Sequence, residues 1–352
     1  MKEEVNARGV SRILSKSLRV VDWNGSRWVN SSRSFPNALA VISLFKAHNN
    51  FKKLIDSKNP SFLKGQISRD NNVRGARINI LPDGKVLDKA YSLFSPELTI
   101  HDESSIHHWD VIYKNPNGQY AYVYTLEKKK RSSSKKYKKV GDFDKLYNKL
   151  NANVVKGLDN SNDYFALPMF TLLKTLMRVG NELYLKAHGS TGLTTIKKKE
   201  ILIKKNNVTF HYLSKDGVPM KISQLFPDEY IHRLRNRLNH INSNEFIFSN
   251  PNGSVIRDTE FMTAFQNYCG ERFYPHIVRS HYATKQVQEF LRSHKKASKL
   301  EVKELFNSIA QRLGHKRFSK KDHKWVYSSA VTIHYYVEPK LVKRINSIIC
   351  KK

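Results

Sequence analysis

The chain runs to 352 residues, long enough for two domains or for one domain with a substantial extension. Its 62 Lys and Arg against 30 Asp and Glu give a formal charge of +32. A compact fold carrying that charge repels itself, so a polyanionic partner is expected, and nucleic acid is the first candidate.

A hydrophobic fraction of 39% with 11% aromatics excludes a disordered basic tail. A basic structural or packaging protein is the plain alternative. No stretch approaches the roughly 20 apolar residues that span a bilayer. The opening MKEEVNARGV has no apolar signal core, so no membrane partner is expected. Cys269 and Cys350 are the only cysteines, which leaves no disulfide framework or cysteine zinc site and fits an intracellular, reducing location.

In chain order, residues 1–73 form an extension with no evident chemistry, although the apolar spacing of Asn37–Phe51 predicts a helix. Residues 74–141 read as a small β-rich domain. The runs ARINIL, WDVIYK and YAYVYTL are separated by the turn signals Pro82-Asp83-Gly84 and Asn115-Pro116-Asn117-Gly118. The segment Glu127–Lys139 (EKKKRSSSKKYKK) reads as a solvated loop, an interaction segment or a nuclear-targeting patch. The overall charge favours a DNA-backbone contact through Lys128, Lys129, Lys130, Arg131, Lys135 and Lys136.

Residues 142–352 turn mainly helical, with Leu167, Phe170, Leu173, Leu176 and Met177 at helical spacing. One β insertion, ILIKKNNVTFHYLSKDGVPMKI, holds three strand-like runs joined at Asn206-Asn207 and at the hairpin turn Asp216-Gly217. Helices resume over 226–346, and no internal repeat is present.

Four constellations in this region could carry chemistry. In Arg178-Val179-Gly180, followed by Gly192-Leu193-Thr194-Thr195, an arginine beside glycines can approach a phosphate, and its planar fork matches phosphate oxygens. A helix-capping arginine is the alternative. Lys215 stands beside the Asp216-Gly217 turn, where an ammonium could protonate a leaving alkoxide or simply be solvated. In His276-Ile277-Val278-Arg279, an arginine opening a helix could hold the other side of a phosphate, with His276 on the same local surface. A locally hydrogen-bonded helix start reads the same way. Leu313-Gly314-His315 precedes Tyr335-Tyr336-Val337-Glu338-Pro339. Flanking cations would favour a phenolate and so activate a tyrosine, although core packing is the commoner use of one.

Read in order, these segments resemble the catalytic domain of small type IB DNA topoisomerases, the poxviral and bacterial kind. That family carries an R-x-G segment before G-L-T-T, a lysine on a β-hairpin, a second arginine opening a helix, a Leu-Gly-His element and a tyrosine with a nearby proline. The matching residues here are Arg178, Lys215, Arg279, His315 and Tyr336. GARINILPDGKVLD and WDVIYKNPNGQY resemble the family's β-rich N-terminal domain, so the likeness spans roughly 74–346.

The resemblance implies an α+β fold, in which a β-rich domain and a helical catalytic domain with a β-hairpin insertion clamp duplex DNA as a monomer. It also implies a 3′-phosphotyrosyl intermediate, supercoil relaxation, and no cofactor or metal. One departure stands out. FSKKDHKWVYSSAVTIHY separates His315 from Tyr336 where the family has a short spacing, which reads as an insertion of about three helical turns. His323 and Tyr327 are therefore alternatives for the histidine and the nucleophile. His276-x-x-Arg279 also resembles the element of the sister family, the tyrosine recombinases, so a recombinase or integrase is the alternative enzyme.

Overall fold

The computed structural model describes residues 7–101, 109–116, 118–319 and 321–350. Asn117 of the expected turn, and Met1–Asn6 of the segment read for a signal core, lie outside them. The fold is α+β, β-rich in the N-terminal region and helical in the catalytic region. The chain divides into two units, Met1–Lys135 and Lys136–Lys352.

The first unit carries β1 (Ser11–Ile13), β2 (Val20–Trp23), β3 (Trp28–Asn30), α1 (Pro36–Ala47), β4 (Gln66–Ile67), β5 (Val73–Arg74), β6 (Ile78–Ile80), β7 (Val86–Tyr91), β8 (Thr99–Ile100), β9 (Val111–Lys114) and β10 (Tyr120–Val123). Three antiparallel sheets result, ordered β3-β2-β1-β4-β5, β10-β9-β8 and β6-β7. Helix α1 starts on Pro36, whose fixed φ suits the first turn, and buries Ala38, Val41, Ile42 and Phe45 at helical spacing. These side chains share one core with Ile13 and Leu54 on one hand and Ile78, Tyr91 and Val111 on the other. The expected division at residue 73 therefore separates no cores: the strands of residues 1–73 are too short to bury a face alone, and they pack into the same core as β6, β7 and β9.

The second unit begins within α2 (Leu126–Leu158) and continues through α3 (Ala166–Thr175), α4 (Glu182–His188), β11 (Ile201–Lys204), β12 (Asn207–Leu213), β13 (Pro219–Leu225), α5 (Asp228–Asn239), α6 (Asp258–Cys269), α7 (Ile277–Ser293), α8 (Lys299–Leu313), β14 (Lys316–Ser319), β15 (Lys324–Tyr327), α9 (Ala330–Tyr335) and α10 (Pro339–Ser347). The three runs of the β insertion form the antiparallel sheet β11-β12-β13. In β12, Val208, Phe210 and Tyr212 alternate inward into the helical core.

Two expectations are corrected. The basic run Glu127–Lys139 is not a loop but the start of α2, a single helix of 33 residues. Lys and Arg are good helix formers, Thr125 accepts from the Lys128 N–H at the helix start, and Arg131 pairs with Glu127 one turn back. The residues between His315 and Tyr336 are likewise not three helical turns but mostly the hairpin β14–β15.

Candidate active site

Four local structures converge in the second unit on a cavity of ≈ 510 Å³. The first is the pair of glycine segments. Leu193 N–H donates to the Arg178 carbonyl at 2.8 Å and Thr194 N–H to the Val179 carbonyl at 3.0 Å, so R-x-G and G-L-T-T are two sides of one structure. The glycines let them touch. Gly180 has φ +107°, and a Cβ on Gly192 would fall 2.6 Å from the Gly180 backbone. Arg178, half-buried, is held at the cavity wall just beyond α3. The helix ends on Leu176 in the left-handed conformation at φ 59°, an uncommon choice for a leucine, and one that frees its carbonyl for Arg279.

The second is the β12–β13 hairpin, whose tip carries exposed Lys215 with Gly217 at φ +71°. The Thr191 N–H donates to the Leu213 carbonyl at 2.7 Å and ties this hairpin to the glycine segments. The third is the start of α7. Arg279 is 3% exposed, its guanidinium donating to the carbonyls of Leu176 and Leu313, with Nη2 3.2 Å from His315 Nε2. Its Nε has no partner among the described residues.

The fourth is the end of α8. Gly314 closes the helix at φ 67°, and the His315 N–H donates back to the Ala310 carbonyl at 2.8 Å, which turns the histidine inward. Because His315 Nε2 faces a guanidinium, it must accept. Nδ1 then carries the proton and donates to Thr332 Oγ1 at 2.8 Å. The hairpin β14–β15 leaves the chain close to where it departed: Ser328 N–H donates to the His315 carbonyl at 2.9 Å. Helix α9 then delivers Tyr336, 4% exposed, with its ring centroid 4.5 Å from that of His315 and 5.0 Å from that of His276. The Arg279 guanidinium lies 5.4 Å from the same centroid.

The cavity thus gathers Arg178, Lys215, Arg279, His315 and Tyr336, and with them His276 and Lys136. The alternatives fall away from it. His323 is exposed at the hairpin turn and Tyr327 is 47% exposed on β15, and neither lines the cavity. Tyr335 lines it but is 54% exposed. The rest of the basic run stays outside. Lys128 pairs with Asp110 at 3.0 Å and Lys129 with Asp88 at 3.1 Å, while Lys130, Arg131 and Lys135 are exposed on α2. Sequence reasoning missed Thr332, Arg312 and Lys316. Thr332 is legible only as the residue one helical turn before Tyr336.

The electrostatics are one-sided. Six cations line the cavity, Lys136, Arg178, Lys215, Arg279, Arg312 and Lys316, and no carboxylate does among the described residues. Burial, helped by Arg279 and Arg178, pushes His276 and His315 down to about 3, so both are neutral near pH 7. Burial raises Tyr212, also on the wall, to about 12 and keeps it a phenol. A larger hollow of ≈ 790 Å³ also presents two arginines, but Arg233 and Arg237 donate to carbonyls and to Ser249, and Asp159, Asp228 and Glu229 share the wall. It lacks the uncompensated positive charge that an anion requires.

The helical unit thus holds a buried tyrosine in a cavity lined by six cations and, among the described residues, by no carboxylate. The family model described as "Eukaryotic DNA topoisomerase I, catalytic core" matches residues 125–338, more than half of the chain. The chain therefore belongs to the DNA topoisomerase I family. The match begins at Thr125, so the likeness expected for residues 74–124 lies outside it.

Among solved structures, the chain is similar to XerH site-specific recombinase bound to palindromic difH substrate in a post-cleavage complex, at 16% identity over 57% of this chain and 51% of that one, TM-score 0.34. A pre-cleavage complex of XerH with difH substrate gives 17% identity over 57% and 52%, TM-score 0.34. The chain spans about half the length of these recombinase chains. No curated protein matches it.

Proposed function

We propose that this chain relaxes supercoiled duplex DNA by cutting and resealing one strand through Tyr336. The phenol oxygen, its proton passing to solvent, attacks a phosphodiester in line, forming a 3′-phosphotyrosyl link as the bond to the 5′ oxygen breaks. Arg178 and Arg279 stabilise the charge gathering on the non-bridging oxygens, the largest single effect in transfers of this type. Lys215, at the tip of a hairpin, donates a proton to the departing 5′ oxygen. His315 lends a hydrogen bond to the phosphate from Nε2, for which its neutral ring must leave the Arg279 contact and take the Nε2–H tautomer. The covalent link conserves the energy of the broken bond, so neither ATP nor a metal is required in principle. The free 5′ hydroxyl attacks back after the strand has swivelled.

The observation that carries this reading is the cavity itself: a buried tyrosine with two arginines, a hairpin lysine and neutral histidines, and among the described residues no carboxylate to oppose an incoming phosphate. Lys128, Lys129, Lys130, Arg131 and Lys135 would add backbone contacts along α2, the exposed ones most readily. In this reading the protein works as a monomeric clamp on duplex DNA, wherever in the cell that DNA lies.

The test is incubation of the purified protein with negatively supercoiled plasmid in EDTA without ATP, beside Tyr336→Phe. A ladder of relaxed topoisomers from the wild type, with neither ladder nor covalent adduct from Tyr336→Phe, is the expected result. An adduct that survives the substitution would move the nucleophile elsewhere. Tight binding with no relaxation would favour a recombinase needing specific paired sites, or a non-catalytic DNA-binding protein.

A further inference from the structure

One residue of the basic run of α2 is unlike its neighbours. Lys128 and Lys129 pair with carboxylates, and Lys130 and Lys135 are exposed. Lys136 turns inward. Its ammonium donates to the carbonyl of Tyr335 and lies 5.5 Å from the ring centroid of Tyr336. The next residue makes the complementary contact, with the Tyr137 hydroxyl donating to the Val337 carbonyl at 2.7 Å. Two consecutive residues of α2 therefore hydrogen-bond the main chain immediately before and immediately after Tyr336. Thr284 Oγ1 meets the carbonyl of Tyr336 itself at 3.5 Å, from α7.

This bracket matters because α9 is only six residues long and ends at Tyr335. A one-and-a-half-turn helix holds its last residue weakly, and Tyr336 comes after it, before Pro339 opens α10. The aim of the phenol oxygen depends on what grips the backbone on either side. Burial also lowers the Lys136 ammonium from the ordinary lysine range, so it does not sit in the environment of a solvated phosphate contact.

We propose that Lys136 is a positioning residue for the nucleophile: by holding the Tyr335 carbonyl, with Tyr137 on Val337, it aims Tyr336 and sets the rate of strand cleavage rather than the affinity for DNA. The inference rests on Tyr336 being the nucleophile and reaches a residue outside the arginine, lysine and histidine set that faces the phosphate. A displacement of about 1 Å at a reacting group costs on the order of 10²-fold in rate, so the loss of one side of the bracket is large enough to read.

The experiment compares wild type with Lys136→Ala, Lys136→Met, Lys136→Arg and Tyr137→Phe on the same plasmid. It measures covalent adduct trapped with detergent at saturating protein, and DNA affinity separately. Lys136→Met keeps most of the aliphatic stem, and retained DNA affinity serves as its folding control. The expected result is adduct formation slowed roughly tenfold or more in Lys136→Ala and Lys136→Met, Kd within about twofold of wild type, and a substantial part of the rate restored by Lys136→Arg. Tyr137→Phe slows the same step. Wild-type rates in Lys136→Ala and Lys136→Met overturn the proposal, as does a loss confined to Kd, which would return Lys136 to the backbone-contact run. Lys136→Arg no faster than Lys136→Met overturns it too. A wild-type protein that binds plasmid but forms no adduct removes the reading of Tyr336, and this inference with it.

Discussion

Two of the donors of Arg279 are committed to the carbonyls of Leu176 and Leu313 before any phosphate arrives, and a third faces His315. Such a side chain is fixed in place, and in the proposed reaction its charge would act without reorganising as negative charge develops. Lys215 is the opposite case, exposed at a hairpin tip, and the proposed reaction gives it the role of general acid. Replacing it with alanine should slow cleavage of ordinary DNA by roughly 10²-fold or more, the usual worth of a general acid. A substrate whose 5′ leaving group is already activated should cleave at nearly the wild-type rate with the same variant; equal slowing on both substrates would remove the acid role. At this scale the residue types and their order were legible, but the choice among neighbours was not. His315 and Tyr336 flank the β14–β15 hairpin, whereas His323 sits at its turn and Tyr327 on β15, and no spacing rule announces that hairpin.

Among the elements, the glycine segments show most directly how a motif becomes a surface. Arg178 reaches the cavity because Gly180 and Gly192 let two strands of chain pass closer than any side chain allows. At Gly192 the limit is space rather than backbone angle, since its φ of −140° suits any residue. Gly192→Ala should therefore cost roughly 1–3 kcal/mol of stability, the range for overpacking, and lower the cleavage rate along with it by shifting Arg178. Thermal melts check the first effect, and a Tm equal to wild type would mean that the segments separate without penalty. The helix α2 was hidden for a different reason. Its first half has no apolar period to detect, and ion pairs to Asp110 and Asp88 take the place of buried side chains there. Its second half, with Val140, Phe143, Leu150 and Val154 buried, carries the ordinary helical signal, which begins to show in the sequence from Phe143.

At the level of the whole molecule, burial, helped by the cavity's arginines, decides the charge state of its two histidines. His276 and His315 have folded values near 3 against an ordinary 6.5, so between those limits the unfolded chain binds protons that the folded chain does not. Stability must therefore fall as pH drops through that window and is fully regained above about 6.5. Melts of the DNA-free protein at pH 7 and pH 5 should show the drop, and a His276→Asn, His315→Asn double variant should show a smaller one. An equal drop in both would place the titration in other groups. The division of the chain also emerges only at this scale. Residues 1–73 look like an appendage because their strands are short, yet Ile13, Val41 and Ile42 lie in the same core as Ile78 and Val111.

The sequence by itself determined the fold class, the nucleic-acid character and the family signature, because charge, strand alternation and the glycine-bearing motif are local properties that survive in one dimension. Tertiary structure alone decided which histidine and which tyrosine face the arginines, that the lysine run is a helix, and that one of its members, Lys136, turns aside to hold the main chain beside Tyr336. Each of these depends on contacts between residues far apart in sequence. Lys136 and Tyr335 are 199 positions apart, and only the packing of α2 against the end of α9 brings them within hydrogen-bonding reach.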